Sequence, residues 1–164
     1  MAAGRYAKAV IGASLLTLML TACGNGERPG FGPDGIPIEN FTAEQIFERG
    51  EFELDRNDPE DAAFYFSEVE RLYPYSEWAK RALIMQAFAH HQNKDYENSR
   101  GSAQRYIDFY PTDEDAAYAQ YLLALSYYDQ IEEVGRDQGL TFQALQALRT
   151  VIEIYPDSEY ARSS

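Results

Sequence analysis

Apolar and polar positions alternate with a helical period along most of the chain after residue 40, and three Tyr-Pro pairs interrupt the pattern. The pairs begin at Tyr73, Tyr110 and Tyr155, which lie 37 and then 45 residues apart. Before each pair, apolar residues recur every three or four positions, as one buried helix face requires. Proline lacks an N–H and disfavours a helical conformation in the preceding residue, so each helix is predicted to end at its tyrosine.

A helix that ends at a proline corner is followed each time by a second helix, so the unit is helix, turn, helix. Such a unit, repeated at a period near ~34 residues, is typical of a tetratricopeptide (TPR)-type solenoid. Residues 41–164 are therefore predicted to form an all-α, TPR-like helical-hairpin solenoid with about three repeats and the start of a fourth. The predicted helices begin at Thr42 with a capping box to Gln45, at Asp58-Pro59, and at residues 76, 96, 113, 140 and 157.

The last interval is longer because of the segment 132–139, which reads EEVGRDQG. This segment is charged and contains two glycines, Gly135 and Gly139. It is therefore predicted to be a loop. The chain stops shortly after Tyr160-Ala161, and terminal repeats of a solenoid need a polar cap. Two explanations are open: the sequence is truncated at its C-terminus, or a partner covers the exposed end.

The first 22 residues are predicted to be a lipoprotein signal peptide. Arg5 and Lys8 form a positive segment, and the apolar run 9–20 is too short to span a bilayer of ~30 Å. Leu20-Thr21-Ala22-Cys23 resembles a bacterial lipobox, which implies cleavage before Cys23 and lipidation at that residue. An ordinary secretory leader with an unrelated cysteine is the alternative.

Residues 23–40 are predicted to be the lipidated cysteine and a flexible tether, because three prolines and five glycines fall between residues 24 and 40. The alternative is that Phe31, Ile36 and Ile38 pack back on the solenoid. The residue after the cysteine is Gly24. Lipoproteins retained at the inner membrane are associated with aspartate at this position. By resemblance to sorted lipoproteins, this predicts an outer-membrane location, with the protein lipid-anchored on the periplasmic face.

Charge and composition exclude some functions. The formal net charge is −13, with 14 basic and 27 acidic residues, which disfavours binding of nucleic acid. The acidity is explained either by solubility or by attraction to basic partners. His90 and His91 are the two histidines, and neighbours on a helix point apart, so no metal pair is predicted. We find no nucleophile, cofactor motif or acid–base pair, and predict that the protein is not an enzyme and uses no metal or cofactor.

A peptide-binding groove is the stronger candidate for a functional site. In repeats of this kind the first helix of each unit lines the concave surface, and aromatic side chains suit extended peptides. The alternative is that these aromatic residues fill space between helices. Counting from the Tyr-Pro corners places Glu51 and eight further side chains in a groove with acidic edges: Phe47, Leu54, Ile84, Phe88, His91, Tyr118, Tyr121 and Tyr128.

Together, the lipobox, the Pro/Gly tether and the cornered repeats resemble the BamD family (also called ComL or YfiO), the lipoproteins of the outer-membrane β-barrel assembly (BAM) machinery. The resemblance covers essentially the whole chain. Its blocks are Cys23, Phe66 with Glu70-Arg71-Leu72-Tyr73-Pro74-Tyr75-Ser76, Asp95-Tyr96, Tyr106-Ile107-Asp108-Phe109-Tyr110-Pro111 and Tyr155-Pro156-Asp157-Ser158-Glu159-Tyr160-Ala161.

The resemblance implies a non-enzymatic, five-repeat periplasmic adaptor. The family's N-terminal repeats receive unfolded outer-membrane protein substrates. Its C-terminal repeats dock on a POTRA domain of the BamA-like barrel subunit and on other BAM lipoproteins. By this resemblance, the present sequence is expected to hold the substrate-receiving repeats and a smaller part of the docking repeats. Another TPR-type periplasmic scaffold, one that coordinates cell division or peptidoglycan enzymes, is the alternative.

Overall fold

A computed structural model of the protein describes residues 35–134 and 138–164, and these residues form a stack of antiparallel helical hairpins. A short 3₁₀ turn, Ile38–Asn40, precedes the first hairpin. The helices are α1 (Ala43–Asp55), α2 (Pro59–Leu72), α3 (Glu77–Gln92), α4 (Tyr96–Phe109), α5 (Ala116–Val134), α6 (Gln138–Ile154) and α7 (Glu159–Ser163). The all-α, TPR-like fold predicted from the sequence is confirmed. The leader, Cys23 and the first part of the tether lie outside the described residues.

The three Tyr-Pro corners have the same backbone structure. In each, the tyrosine N–H donates to the carbonyl four residues before it, at 2.8–2.9 Å. The tyrosine carbonyl then accepts the N–H of the residue three positions on: Ser76 at 3.0 Å, Asp113 at 3.1 Å and Ser158 at 3.0 Å. The predicted corners are thus confirmed, because proline imposes them locally whatever packs around them.

The turns within the first two hairpins are also alike. Asn57 and Lys94 both adopt a left-handed conformation, with φ near 61° and 60°. The next residue in each turn, Asp58 or Asp95, then caps the second helix through its side chain. These turns reverse the chain in three residues and bring α2 back along α1, and α4 back along α3.

Three helix starts differ from the prediction by two residues or more. Helix α7 begins at Glu159, after its cap Ser158, rather than at residue 157. Helix α5 begins at Ala116 rather than at residue 113, because the carboxylate of Asp113 is held by Lys80 and Tyr106 and the corner continues past it. The predicted loop 132–139 is also too long. Helix α5 continues to Val134 and α6 begins at Gln138, so only residues 135–137 separate the described helices.

The first hairpin is held by an aromatic core. The ring of Phe47 lies 5.2 Å from that of Phe66 and 5.1 Å from that of Trp78, which joins α1, α2 and α3 in one contact. Gly50 allows α1 to approach α2: a β-carbon at this position would lie 2.6 Å from Cε1 of Phe66. Small residues on α3, among them Ala82 and Ala89, complete the core.

Hydroxyl groups connect the second and third hairpins. Ser99 on α4 donates to the carbonyl of Ala87 at 2.9 Å, and Ser126 on α5 donates to Ser99 Oγ at 2.9 Å. Both serines are fully buried. Since a buried hydroxyl without a partner is costly, these bonds specify how α4 and α5 align.

The C-terminal part of the predicted tether belongs to the folded domain. Ile38 is only 1% exposed and packs in the core of the first hairpin. The hydroxyl of Tyr73 donates to the carbonyl of Phe41 at 2.6 Å, which fixes the entry to α1. Within the described residues, no helix is both long enough and apolar enough to cross a membrane.

The N-terminus of α1 is closed by the predicted capping box. The Thr42 hydroxyl accepts the N–H of Gln45 at 3.3 Å, and the Gln45 side chain accepts the N–H of Thr42 at 3.0 Å. Replacing Thr42 by alanine is expected to lower the free energy of unfolding by about 0.5–1 kcal/mol, because a backbone donor loses its partner. Urea titration followed by circular dichroism measures this, and Thr112→Ala at an exposed corner is the matched control. An equal loss in both variants would contradict the assignment of the cap.

Candidate functional site: the inner wall of the solenoid

The candidate site is the surface formed by the first helices of successive hairpins. Helix α1 lies against α3, and α3 lies against α5, whereas α2 and α4 approach each other less closely. The stack is therefore curved, with the first helices on the concave side. We call the exposed faces of α1, α3 and α5 that point away from the second helices the inner wall.

Helical geometry gives the residues of the inner wall. Side chains three or four positions apart share a helix face, and the face in question lies beside the contact with the neighbouring first helix. The inner wall comprises Glu44, Glu48, Glu51 and Asp55 on α1; Glu77, Arg81, Phe88 and Gln92 on α3; and Tyr118, Tyr121, Leu125 and Tyr128 on α5.

The contribution of α1 is a row of carboxylates. Glu44, Glu48, Glu51 and Asp55 are all exposed, and we call them the acidic row. In the described part of the chain, none of the four makes an ion pair. Of these four residues, the sequence prediction placed only Glu51 in the groove. In the sequence, these acidic residues are spaced four, three and four positions apart. The spacing places them on one face of a helix, but it identifies an exposed row only once the buried face of that helix is known.

The contribution of α3 mixes charge and apolar surface. Arg81 lies over the rings of Phe47 and Trp78, at 4.8 and 4.7 Å from their centroids, so its guanidinium stays on the wall and covers the first core. Farther along the helix, Phe88 is half-buried. It packs against the core between the second and third hairpins and leaves part of its ring open.

The contribution of α5 is apolar and aromatic. Tyr128 is 49% exposed, and Leu125, one turn earlier on the same face, is half-buried. Tyr118 and Tyr121 lie under the ring of Tyr160 from α7, with centroids 5.3 and 5.4 Å away. Burial, with a smaller effect of Tyr160, raises the pKa of Tyr118 to about 12, so this phenol stays neutral.

Three of the predicted groove residues are packing residues. Phe47 is 1% exposed and Ile84 is 7% exposed, so the prediction that they line an open groove is wrong. Leu54 packs partly against the first core. Counting from the Tyr-Pro corners gave the correct helices but not their rotation. Phe47 points between α1 and α3, and Ile84 points toward the third hairpin.

The predicted groove residue His91 joins the second and third hairpins. Its Nε2 lies 3.0 Å from Oδ2 of Asp129 on α5, and its ring meets that of Tyr96 edge-on at 5.6 Å. His90 has a different environment: burial lowers its pKa, against the weaker opposing effect of Asp95 at 3.4 Å. The two histidines thus have separate carboxylate partners.

A cluster of carboxylates lies at the turn of the first hairpin. Oxygen atoms of Glu53, Asp58 and Asp61 lie within 4.8 Å of one another. The buried carboxylate of Glu53 is already paired with Arg49 at 2.6 Å and Arg56 at 3.0 Å. Asp58 accepts the N–H of Asp61 as the cap of α2. These groups have structural partners, and we assign no metal to them.

A cleft of about 250 Å³ opens beside α1, and Glu48 of the acidic row lies at its edge. Its walls include Ile38, Phe41, Phe52 and Tyr65, and Arg49 stacks on Phe52 at 4.9 Å from the ring centroid. Apart from Glu48, its lining residues lie outside the inner wall, at the N-terminal end of the solenoid.

Comparisons with known proteins identify the family. A family profile described as YfiO, outer membrane lipoprotein, matches residues 39–164. The chain is 40% identical to the outer membrane protein assembly factor BamD of Caulobacter vibrioides over 152 residues, which are 92% of this chain and 48% of that protein. It is 33% identical to BamD of Rickettsia prowazekii over 119 residues, 73% of this chain and 47% of that protein.

More distant relatives have the same description. BamD of Pasteurella multocida is 22% identical over 161 residues, which are 92% of this chain and 58% of that protein. The chain thus spans about half the length of the curated relatives it matches. The resemblance stated from the sequence blocks is confirmed. The repeats from Glu39 to Ser164 carry the profile, so the chain belongs to the YfiO family of outer membrane lipoproteins.

Proposed function

We propose that this chain acts in the assembly of outer-membrane β-barrel proteins as a non-enzymatic, lipid-anchored periplasmic adaptor. The observation that carries the proposal is the 40% identity, over 92% of the chain, to a protein named an outer membrane protein assembly factor. The anchor is Cys23, and the inner wall receives segments of unfolded barrel proteins. The other partners are a BamA-like barrel subunit, contacted through its POTRA domain, and further BAM lipoproteins.

The structure supports an adaptor because its concave face offers contact area rather than a reactive centre. Tyr128 and Phe88 present partly open rings, and aromatic rings give a large contact area with little loss of side-chain entropy. In the described residues, the titratable groups on this face are exposed carboxylates, a guanidinium and phenols. Their arrangement is suited to binding a polypeptide.

The proposal is tested by affinity purification of the tagged full chain from detergent-solubilised outer membranes. We expect the barrel-shaped assembly subunit to be recovered, and the Cys23→Ala variant to be found unprocessed or in the soluble fraction. Recovery of peptidoglycan or division factors in place of the barrel subunit would favour the alternative scaffold. If the Cys23→Ala variant is still membrane-bound and labelled with lipid, the assignment of Cys23 as the anchor is refuted.

A further inference from the structure

The inner wall is not uniform from one end to the other. At α1 it carries the acidic row, Glu44, Glu48, Glu51 and Asp55. At α5 the residues assigned to it, up to Tyr128, are uncharged, and the more open of them are Leu125 and Tyr128. The single guanidinium of Arg81 lies between the two ends and is stacked on Phe47 and Trp78. The wall therefore has an electrostatic direction along the solenoid.

The apolar end of the inner wall is formed by residues of α3 and α5 that lie at the same level of the stack. Phe88 on α3 and Leu125 on α5 lie within one helical turn of His91 and Asp129, whose side chains meet at 3.0 Å. Phe88 and Leu125 are consequently at the same level of the stack, and Tyr128 adds a ring that is 49% exposed. We call Phe88, Leu125 and Tyr128 the apolar patch. Tyr118 and Tyr121 contribute less, because Tyr160 covers them.

We propose that the inner wall binds an unfolded polypeptide in one orientation, with lysine or arginine residues over the acidic row and an aromatic residue on the apolar patch. The inference rests on the proposed function, since it describes the client of the same wall. Charge complementarity selects the occupant: the carboxylates of the acidic row attract a cationic segment, and an acidic segment is repelled.

The spacing in the client follows from helix packing. Neighbouring helix axes lie about 8–10 Å apart, so two steps from α1 to α5 span roughly 16–20 Å. An extended chain advances about 3.3 Å per residue. The basic residue and the aromatic residue of a client that reaches across the wall are therefore separated by about five or six residues.

Fluorescent 12-residue peptides test this with the full chain in detergent. One peptide carries two lysines five residues before a pair of phenylalanines, a second carries two glutamates in place of the lysines, and a third has the lysines next to the phenylalanines. At 50 mM salt we expect the first to bind at least 10-fold more tightly than the other two. The difference should shrink at 500 mM salt, because exposed charges are screened.

Variants of the protein test where the basic and the aromatic residues of the peptide bind. E48K/E51K is expected to weaken the lysine peptide at least 10-fold and to strengthen the glutamate peptide. E60K/E97K makes the same change of charge at exposed residues of α2 and α4 and should leave both affinities unchanged. Y128A is expected to weaken all three peptides. Circular dichroism of each variant establishes that the helices are retained.

The outcomes separate this inference from the proposed function. Equal binding of the lysine and glutamate peptides, or no effect of E48K/E51K, would overturn the orientation and leave a non-selective groove for barrel proteins intact. If no peptide binds while the barrel subunit is recovered from membranes, the inner wall is not the client site. In that case the orientation is overturned and the adaptor role remains.

Discussion

Substitution of Gly50 by valine is expected to lower the free energy of unfolding by about 2–3 kcal/mol, which is a large part of the stability of a small domain. The added β-carbon would lie 2.6 Å from Cε1 of Phe66 and 2.9 Å from its Cδ1 and Cζ. The Phe66 ring is fully buried and lies against Phe47, which in turn meets Trp78. Moving the ring therefore disturbs three helices.

The matched control is Gly101→Val on α4. Gly101 is exposed, and a β-carbon added to it would have no atom of another residue within 4 Å, so nothing needs to move. Since valine is a better helix former than glycine, this variant should be unchanged or slightly more stable, by about a few tenths of a kcal/mol. Urea denaturation measures both. Equal stability of the two variants would show that α1 and α2 do not meet at Gly50.

Substitution of Asp113 by asparagine is expected to lower the free energy of unfolding by about 1–2 kcal/mol at pH 7. Asp113 accepts hydrogen bonds from Lys80 Nζ at 2.7 Å and from the Tyr106 hydroxyl at 2.6 Å. The bond from Lys80, followed by that from Tyr106, lowers the pKa of Asp113 to about 2 from an ordinary value of 3.8. The full shift corresponds to about 2 kcal/mol, and contact of the pair with solvent reduces it.

The loss caused by Asp113→Asn should depend on pH. Because the folded state holds the carboxylate ionised, its stabilisation is complete above the unfolded pKa and is lost as the pH falls toward 2. The difference between the wild type and Asp113→Asn should therefore fall to about half by about pH 3. Asp108→Asn at an exposed position of α4 is the control, with a change below about 0.5 kcal/mol. A difference independent of pH would refute the role of the charge.

The sequence predicted the corners well because their cause is local. Tyr73-Pro74 and its two counterparts end helices through the proline itself, and Thr42 and Ser76 cap helices through bonds to residues three positions away. Such features do not depend on distant packing. The boundary at Asp113 failed for the opposite reason, because its carboxylate is directed by Lys80, 33 positions earlier in the chain.

The inner wall was only partly predictable for a similar reason. Counting from a corner identifies the helix but leaves its rotation undetermined, and an error of one position moves a side chain by about 100°. Phe47 and Ile84 were thus assigned to the wall although they face neighbouring helices, and Leu125 was missed. The burial of Ile38 was predicted only as the alternative to a flexible tether, because the Pro/Gly composition around it favours a tether.

The contacts of α3 differ on its two sides, and this affects how the wall can deform. Toward the third hairpin, α3 is held near its start by the ion pair of Lys80 with Asp113, and near its end Nε2 of His91 lies 3.0 Å from Oδ2 of Asp129. Toward α1, it is held by stacked rings, Phe47 with Trp78. Charged hydrogen bonds are directional and stacked rings tolerate sliding. We therefore expect the contact between α1 and α3 to adjust more readily than the contact between α3 and α5 when the curvature of the solenoid changes.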